Sequence, residues 1–132
     1  MATINLTEDS FNETVENNDI VIVDYWAPWC APCRAFGPIF EKASEKHQGV
    51  VFGKVNTEEE QSIAAAFNIR SIPTLMVFKE QVLVFAQPGM LPGHVLDELI
   101  GKVRELDMEE VRAKIAEQEK KQDHAQAAAV GN

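Results

Sequence analysis

The apolar pattern predicts an α/β protein, with a central mixed sheet of about five strands, about four flanking helices and a helical C-terminal extension. Three observations carry this reading. Ile20-Val21-Ile22-Val23-Asp24-Tyr25-Trp26 is β-branched and almost wholly apolar, as a central strand covered on both faces must be. Thr74–Phe78 and Val82–Phe85 are separated only by Lys79-Glu80-Gln81, a spacing that predicts an antiparallel hairpin. Helical periodicity falls between and after these runs, with Leu96, Leu99, Ile100, Val103 and Leu106 on one face.

Taken in order, Thr3-Ile4-Asn5-Leu6 alternates like a short edge strand. Thr7 then stands as N-cap of a helix over about 8–17, with Glu8 and Asp9 in its first turn. Asn17-Asn18-Asp19 is turn chemistry before the central strand. A helix over roughly 32–47 follows it, and Pro38 inside should kink that helix. Val50–Asn56 is the next strand. Thr57-Glu58-Glu59-Glu60 has the form of a capping box and opens a helix to about Phe67. After the edge strand and the first helix, the order from the central strand onward is βαβα then ββα, closed by the hairpin and the last amphipathic helix.

Composition divides the chain. Every Phe, Trp and Tyr lies before residue 90, and residues beyond Leu106 are mainly Glu, Lys, Gln and Ala. We read one domain over 1–106 and a charged helical extension over 107–132. Asp107-Met108-Glu109-Glu110 resembles a fresh helix start, and Glu110–Lys114 and Glu117–Lys121 are spaced as ion pairs. Met108, Val111 and Ile115 form a narrow apolar stripe, which predicts a helix that packs weakly and frays near Gln126-Ala127-Ala128-Ala129. The same stripe would suit a short association seam, although a monomer is the expectation.

Twelve Lys and Arg against 21 Asp and Glu give a net charge of −9, which excludes nucleic acid and anionic membranes as expected partners. The chain has no membrane-length apolar run and its start lacks the features of a signal peptide, so the expected compartment is the cytoplasm. Its two cysteines cannot build a disulfide scaffold.

Those two are Cys30 and Cys33, one helical turn apart in Cys30-Ala31-Pro32-Cys33. At the start of a helix, unpaired N–H groups and a partial positive charge stabilise a thiolate at Cys30. Pro32 fits the first turn, where a missing N–H costs nothing. The thiolate attacks a disulfide, and the less exposed Cys33 then resolves the mixed disulfide. Zinc would need four ligands, whereas His47, His94 and His124 are isolated, so no metal is expected.

Val23-Asp24-Tyr25-Trp26-Ala27-Pro28-Trp29-Cys30-Ala31-Pro32-Cys33-Arg34 resembles the active-site segment of the thioredoxin family. Ile69-Arg70-Ser71-Ile72-Pro73-Thr74-Leu75 is similar to the family's cis-proline segment, and Lys54-Val55-Asn56 and Pro88-Gly89 fall where the family has matches. The resemblance spans about residues 3–106. It implies the thioredoxin fold and a protein-disulfide reductase in which Cys30 is the nucleophile and Cys33 the resolving thiol. Asp24 would be a buried proton relay, with a raised pKa that suits it to the task, and Lys54 its loose partner. Trp29, Pro32, Ile72, Pro73, Thr74, Pro88, Gly89 and Met90 would form the substrate-binding face, with the backbone at Ile72 pairing with an extended client.

The resemblance also implies that no cofactor is bound. The Cys30–Cys33 disulfide is then the redox centre, and electrons come from NADPH through thioredoxin reductase. Two other readings remain at this point: an interaction subunit whose redox state is incidental, and a more oxidising isomerase. Ala31 stands where the family usually has Gly, which changes the redox poise. The Lys79-Glu80-Gln81-Val82 turn lacks the usual Gly and should be longer or strained, and Gly37 falls mid-helix at a cost of up to ~1 kcal/mol.

Overall fold

In the computed structural model the backbone is described for residues 2–130 and side chains for 2–123. Five strands, β1 (Thr3–Asn5), β2 (Ile20–Trp26), β3 (Val50–Asn56), β4 (Thr74–Lys79) and β5 (Val82–Pro88), form one sheet in the order β1-β3-β2-β4-β5. β3 pairs in parallel with β1 and β2, while β4 runs antiparallel to β2 and β5. The helices are α1 (Phe11–Asn17), α2 (Ala31–Lys46), α3 (Gln61–Ala66), α4 (Gly93–Glu105) and α5 (Met108–Val130). None is long and apolar enough, among the described residues, to cross a membrane.

The period-two alternation of β2 divides the core into two layers. Ile20 and Ile22 pack with Phe36, Phe40, Leu96 and Ile100 from α2 and α4. Val21, Val23 and Tyr25 pack with Phe11, Val15 and Ile63 from α1 and α3. Asp24 shares the parity of Ile20 and Ile22, so it belongs to the face covered by α2. Gly53 is required by a close approach, since a Cβ there would collide with the Leu6 side chain.

Local hydrogen bonds move two helix starts. Thr7 closes a turn, its carbonyl accepting from the Ser10 and Phe11 N–H groups at 3.1 and 2.9 Å, so Ser10 is the N-cap and α1 begins at Phe11 rather than near residue 8. The Asn56 side chain accepts the Glu58 N–H at 3.0 Å and its carbonyl accepts the Glu60 N–H at 2.9 Å. That turn delays α3 to Gln61 and displaces the capping box expected at Thr57. Thr57 Oγ1 instead donates to the Trp26 carbonyl.

The β4–β5 connection is shorter than the missing glycine suggests. Lys79 pairs with Val82, leaving Glu80 and Gln81 as a two-residue loop with φ of 49° and 70°. Both sit in the left-handed region that side chains disfavour, so the turn is tight and strained. α2 continues through Pro38 as one element. In α4, Leu96, Ile100 and Val103 are buried as the period requires, but Leu106 falls past the helix end and is exposed.

Lys79 is buried at the end of β4. Its Nζ donates to the carbonyls of Val103, Arg104 and Leu106 at 2.9, 3.1 and 3.1 Å, satisfying the C-terminal end of α4. Asp107 Oδ1 then accepts the Glu109 N–H at 3.0 Å and starts α5. Met108 is buried, Val111 and Ile115 are half-buried, and Arg112 pairs with Glu80 at 2.8 Å. The Glu110–Lys114 and Glu117–Lys121 pairs form at 3.2 and 3.8 Å. α5 is helical as far as Val130, including the segment read as its frayed end, where the side chains lie outside the described residues.

Candidate active site

The site is assembled where β2 ends and α2 begins. Ala27 is buried, and its carbonyl accepts the Cys30 N–H at 3.2 Å. Arg34 Nη1 reaches back from α2 to the Pro28 carbonyl at 2.9 Å, which fixes the loop carrying Trp29. Cys30 is the N-cap of α2, and its sulfur accepts the Cys33 N–H at 3.2 Å. Pro32 occupies the first turn, as its fixed φ and absent donor favour. The first turn holds no acidic residue to offset the positive end of the helix.

Cys30 and Cys33 are joined by a disulfide, with Cα atoms 5.2 Å apart. The two residues are almost equally covered, 4% and 3% exposed, so the greater exposure expected of Cys30 is absent in this oxidised state. The bond folds the Cys30 sulfur back over the helix terminus.

A second loop meets the disulfide. Cys30 Sγ lies 3.7 Å from the Ile72 carbonyl oxygen, and the Ile72–Pro73 peptide bond is cis. The Pro73 carbonyl accepts the Gly89 N–H at 2.8 Å, and Thr74 pairs with Pro88 across β4 and β5. The candidate residues Ile72, Pro73, Thr74, Pro88 and Gly89 are thus one hydrogen-bonded unit beside Cys30. Their accessibility differs. Trp29 is 63% and Met90 40% exposed, and Pro32, Pro88 and Gly89 are also exposed. Ile72 is half-buried, whereas Pro73 and Thr74 are buried and offer backbone rather than side chain.

Asp24 is wholly buried on β2, and neither carboxylate oxygen has a hydrogen-bond partner among the described residues. Loss of solvent raises its pKa from 3.8 to about 7, while the Lys54 charge pulls it partly back. Lys54 is the register partner of Asp24 on β3, but its ammonium lies 4.6 Å from the centroid of the Trp26 ring. It acts on Asp24 through its field and holds a cation–π contact. Among the described residues no group of three His, Cys, Asp or Glu is arranged to hold a metal ion.

The thioredoxin family model matches residues 2–102, which include the disulfide loop and the cis-proline loop. The chain belongs to the thioredoxin family. The chain is 53% identical over 118 residues to a putative thioredoxin 2 of Streptomyces coelicolor, a match covering 89% of this chain and 88% of the relative. That length exceeds residues 1–106, so the match takes in part of α5. It is 40% identical to a thioredoxin of Porphyra purpurea, over 77% of this chain and 97% of that one.

Solved thioredoxin structures agree. A mutant thioredoxin of Halobacterium salinarum superposes with a TM-score of 0.73 at 28% identity, covering 80% of this chain and 92% of that chain. A Plasmodium falciparum thioredoxin gives 0.70 at 33% identity, covering 76% and 97%. The thioredoxin family and the Cys30–Cys33 disulfide make this protein a thiol-disulfide oxidoreductase, consistent with protein-disulfide reductase activity.

Sequence reasoning did not find Arg34 as the clamp on the Trp29 loop, nor Lys79. For Arg34 the only signal is its position after Cys33. For Lys79 it is a lysine closing an apolar strand.

Proposed function

We propose that the chain reduces disulfides in client proteins by a two-step exchange. The Cys30 thiolate attacks one client sulfur, the client S–S bond breaks, and a mixed disulfide forms. Cys33 then loses its proton and attacks the Cys30 sulfur. The Cys30–Cys33 bond closes, and the client leaves with two electrons and the protons its thiols require. The observation that carries this reading is the position of Cys30 as N-cap of α2, its sulfur accepting the Cys33 N–H at 3.2 Å. That hydrogen bond and the helix terminus both favour a thiolate.

Asp24 serves as the proton acceptor during the second step, and its pKa of about 7 supports that role. Lys54 tunes that pKa. Clients dock on Trp29, Pro32, Pro88, Gly89 and Met90, with the Ile72, Pro73 and Thr74 backbone alongside. An apolar face of this kind accepts many client sequences. Electrons return from NADPH through thioredoxin reductase. The protein works in the cytoplasm as a monomer, with residues 1–106 as the redox domain and 107–132 as an extension.

Insulin reduction driven by dithiothreitol tests this. The parent should accelerate it and Cys30→Ser should not. An inert parent, or a Cys30→Ser variant as fast as the parent, overturns the reading.

A further inference from the structure

Three of the chain's four methionines lie among the described residues, and they sit in very different surroundings. Met76 and Met108 are each 5% exposed, inside the core and under the base of α5. Met90 is 40% exposed. It follows Gly89, whose N–H donates to the Pro73 carbonyl at 2.8 Å, and the neighbouring Ile72 carbonyl lies 3.7 Å from Cys30 Sγ. Met90 and Trp29 are therefore the two large exposed apolar side chains of the loops that meet at the disulfide.

A thioether on such a surface is open to two-electron oxidation, and its sulfoxide is polar where the thioether was apolar. We propose that Met90 is an oxidative modification site that controls client docking, an inference that rests on the docking face described above. A hydroperoxide is the oxidant. The Met90 sulfur takes one oxygen from it, so the O–O bond breaks and an S–O bond forms. Sulfur is oxidised by two electrons, and the peroxide is reduced to water or an alcohol. A polar S–O group then stands in the apolar face beside Cys30, and a client segment must desolvate it to dock. The redox couple itself is untouched, because the closed Cys30–Cys33 disulfide offers no thiol to the peroxide.

The test uses the full chain in its disulfide form, treated with hydrogen peroxide and then freed of it. Peptide mass mapping should find the added oxygen on Met90 before Met76 or Met108. Insulin reduction should fall about threefold or more in kcat/KM, the scale of one lost apolar group. Reduction of hydroxyethyl disulfide, which is too small to use the docking face, should not change. Met90→Leu, compared with its own untreated rate, should be insensitive to peroxide.

Unchanged insulin reduction by fully Met90-oxidised protein overturns the proposal. So does equal oxidation of the buried methionines, or an equal loss in Met90→Leu. Failure of the untreated protein to reduce insulin is a different result, visible before peroxide is added, and removes the docking reading itself.

Discussion

Asp24 and Lys54 are register partners on the adjacent strands β2 and β3, yet Lys54 places its ammonium 4.6 Å from the centroid of the Trp26 ring. Asp24 is left buried, with both oxygens unpartnered among the described residues. A carboxyl in that position is stabilised as the neutral acid, because burial penalises the charge more than Lys54 offsets it.

This makes stability depend on pH in a defined direction. The folded pKa, about 7, lies above the ordinary 3.8, so the folded chain holds this proton more tightly than the unfolded chain. Stability from this group is greatest below about 3.8, declines as pH rises towards 7, and is level above that. Asp24→Asn removes the penalty and should be more stable than the parent at pH 8 by roughly 2–4 kcal/mol. Urea denaturation at acid and alkaline pH measures it. A parent and variant with the same pH slope would contradict the assignment.

Lys79→Met should destabilise the fold. The parent amine serves three carbonyls at the end of α4, and methionine fills the space without serving any. The expected loss is about 2–4 kcal/mol, since buried acceptors are left bare. Insulin reduction at low temperature should be unchanged, because the residue is remote from the disulfide loop. An unaltered urea midpoint would show that these hydrogen bonds contribute nothing net.

The base of α5 matters more than its length. Ending the chain at Leu106 uncovers the surface against which Met108 is buried and should cost about 1.5–3 kcal/mol. Arg112→Ala breaks only a half-exposed ion pair with Glu80 and should cost under about 1 kcal/mol. Ending the chain at Asp123 should cost almost nothing. Equal stability of all three variants and the parent would show that α5 does not support the domain.

The two-residue loop after β4 offers a gain. Replacing Glu80 and Gln81 with Asn and Gly suits the positive φ at both positions and should stabilise by about 1 kcal/mol. A lower thermal midpoint would mean that the Glu80–Arg112 pair outweighs the backbone strain.

What the sequence made legible was local chemistry. Cys30, Pro32 and Cys33 announce a helix N-terminus by residue type and spacing, and the short gap between Thr74–Phe78 and Val82–Phe85 announces a hairpin. The central strand showed itself because both its faces are covered. Less legible were features that depend on a distant partner. Nothing near Lys79 states that α4 will end within reach of its amine. α3 starts later than the Thr57 capping pattern suggests because the Asn56 carbonyl accepts the Glu59 and Glu60 N–H groups that a Thr57 cap would take, and propensity alone does not rank the two. The matched exposure of Cys30 and Cys33 follows from the closed disulfide, a state that the residue order does not specify.

The reduction potential of the Cys30–Cys33 couple bears most directly on the proposed reductase. Equilibration with glutathione or with NADPH and a reductase would give it. We expect a reducing value near that typical of thioredoxins, about −270 mV, with a modest displacement from Ala31. A value near that of strong oxidants, about −120 mV, would contradict a reductase and make the chain a donor of disulfides instead.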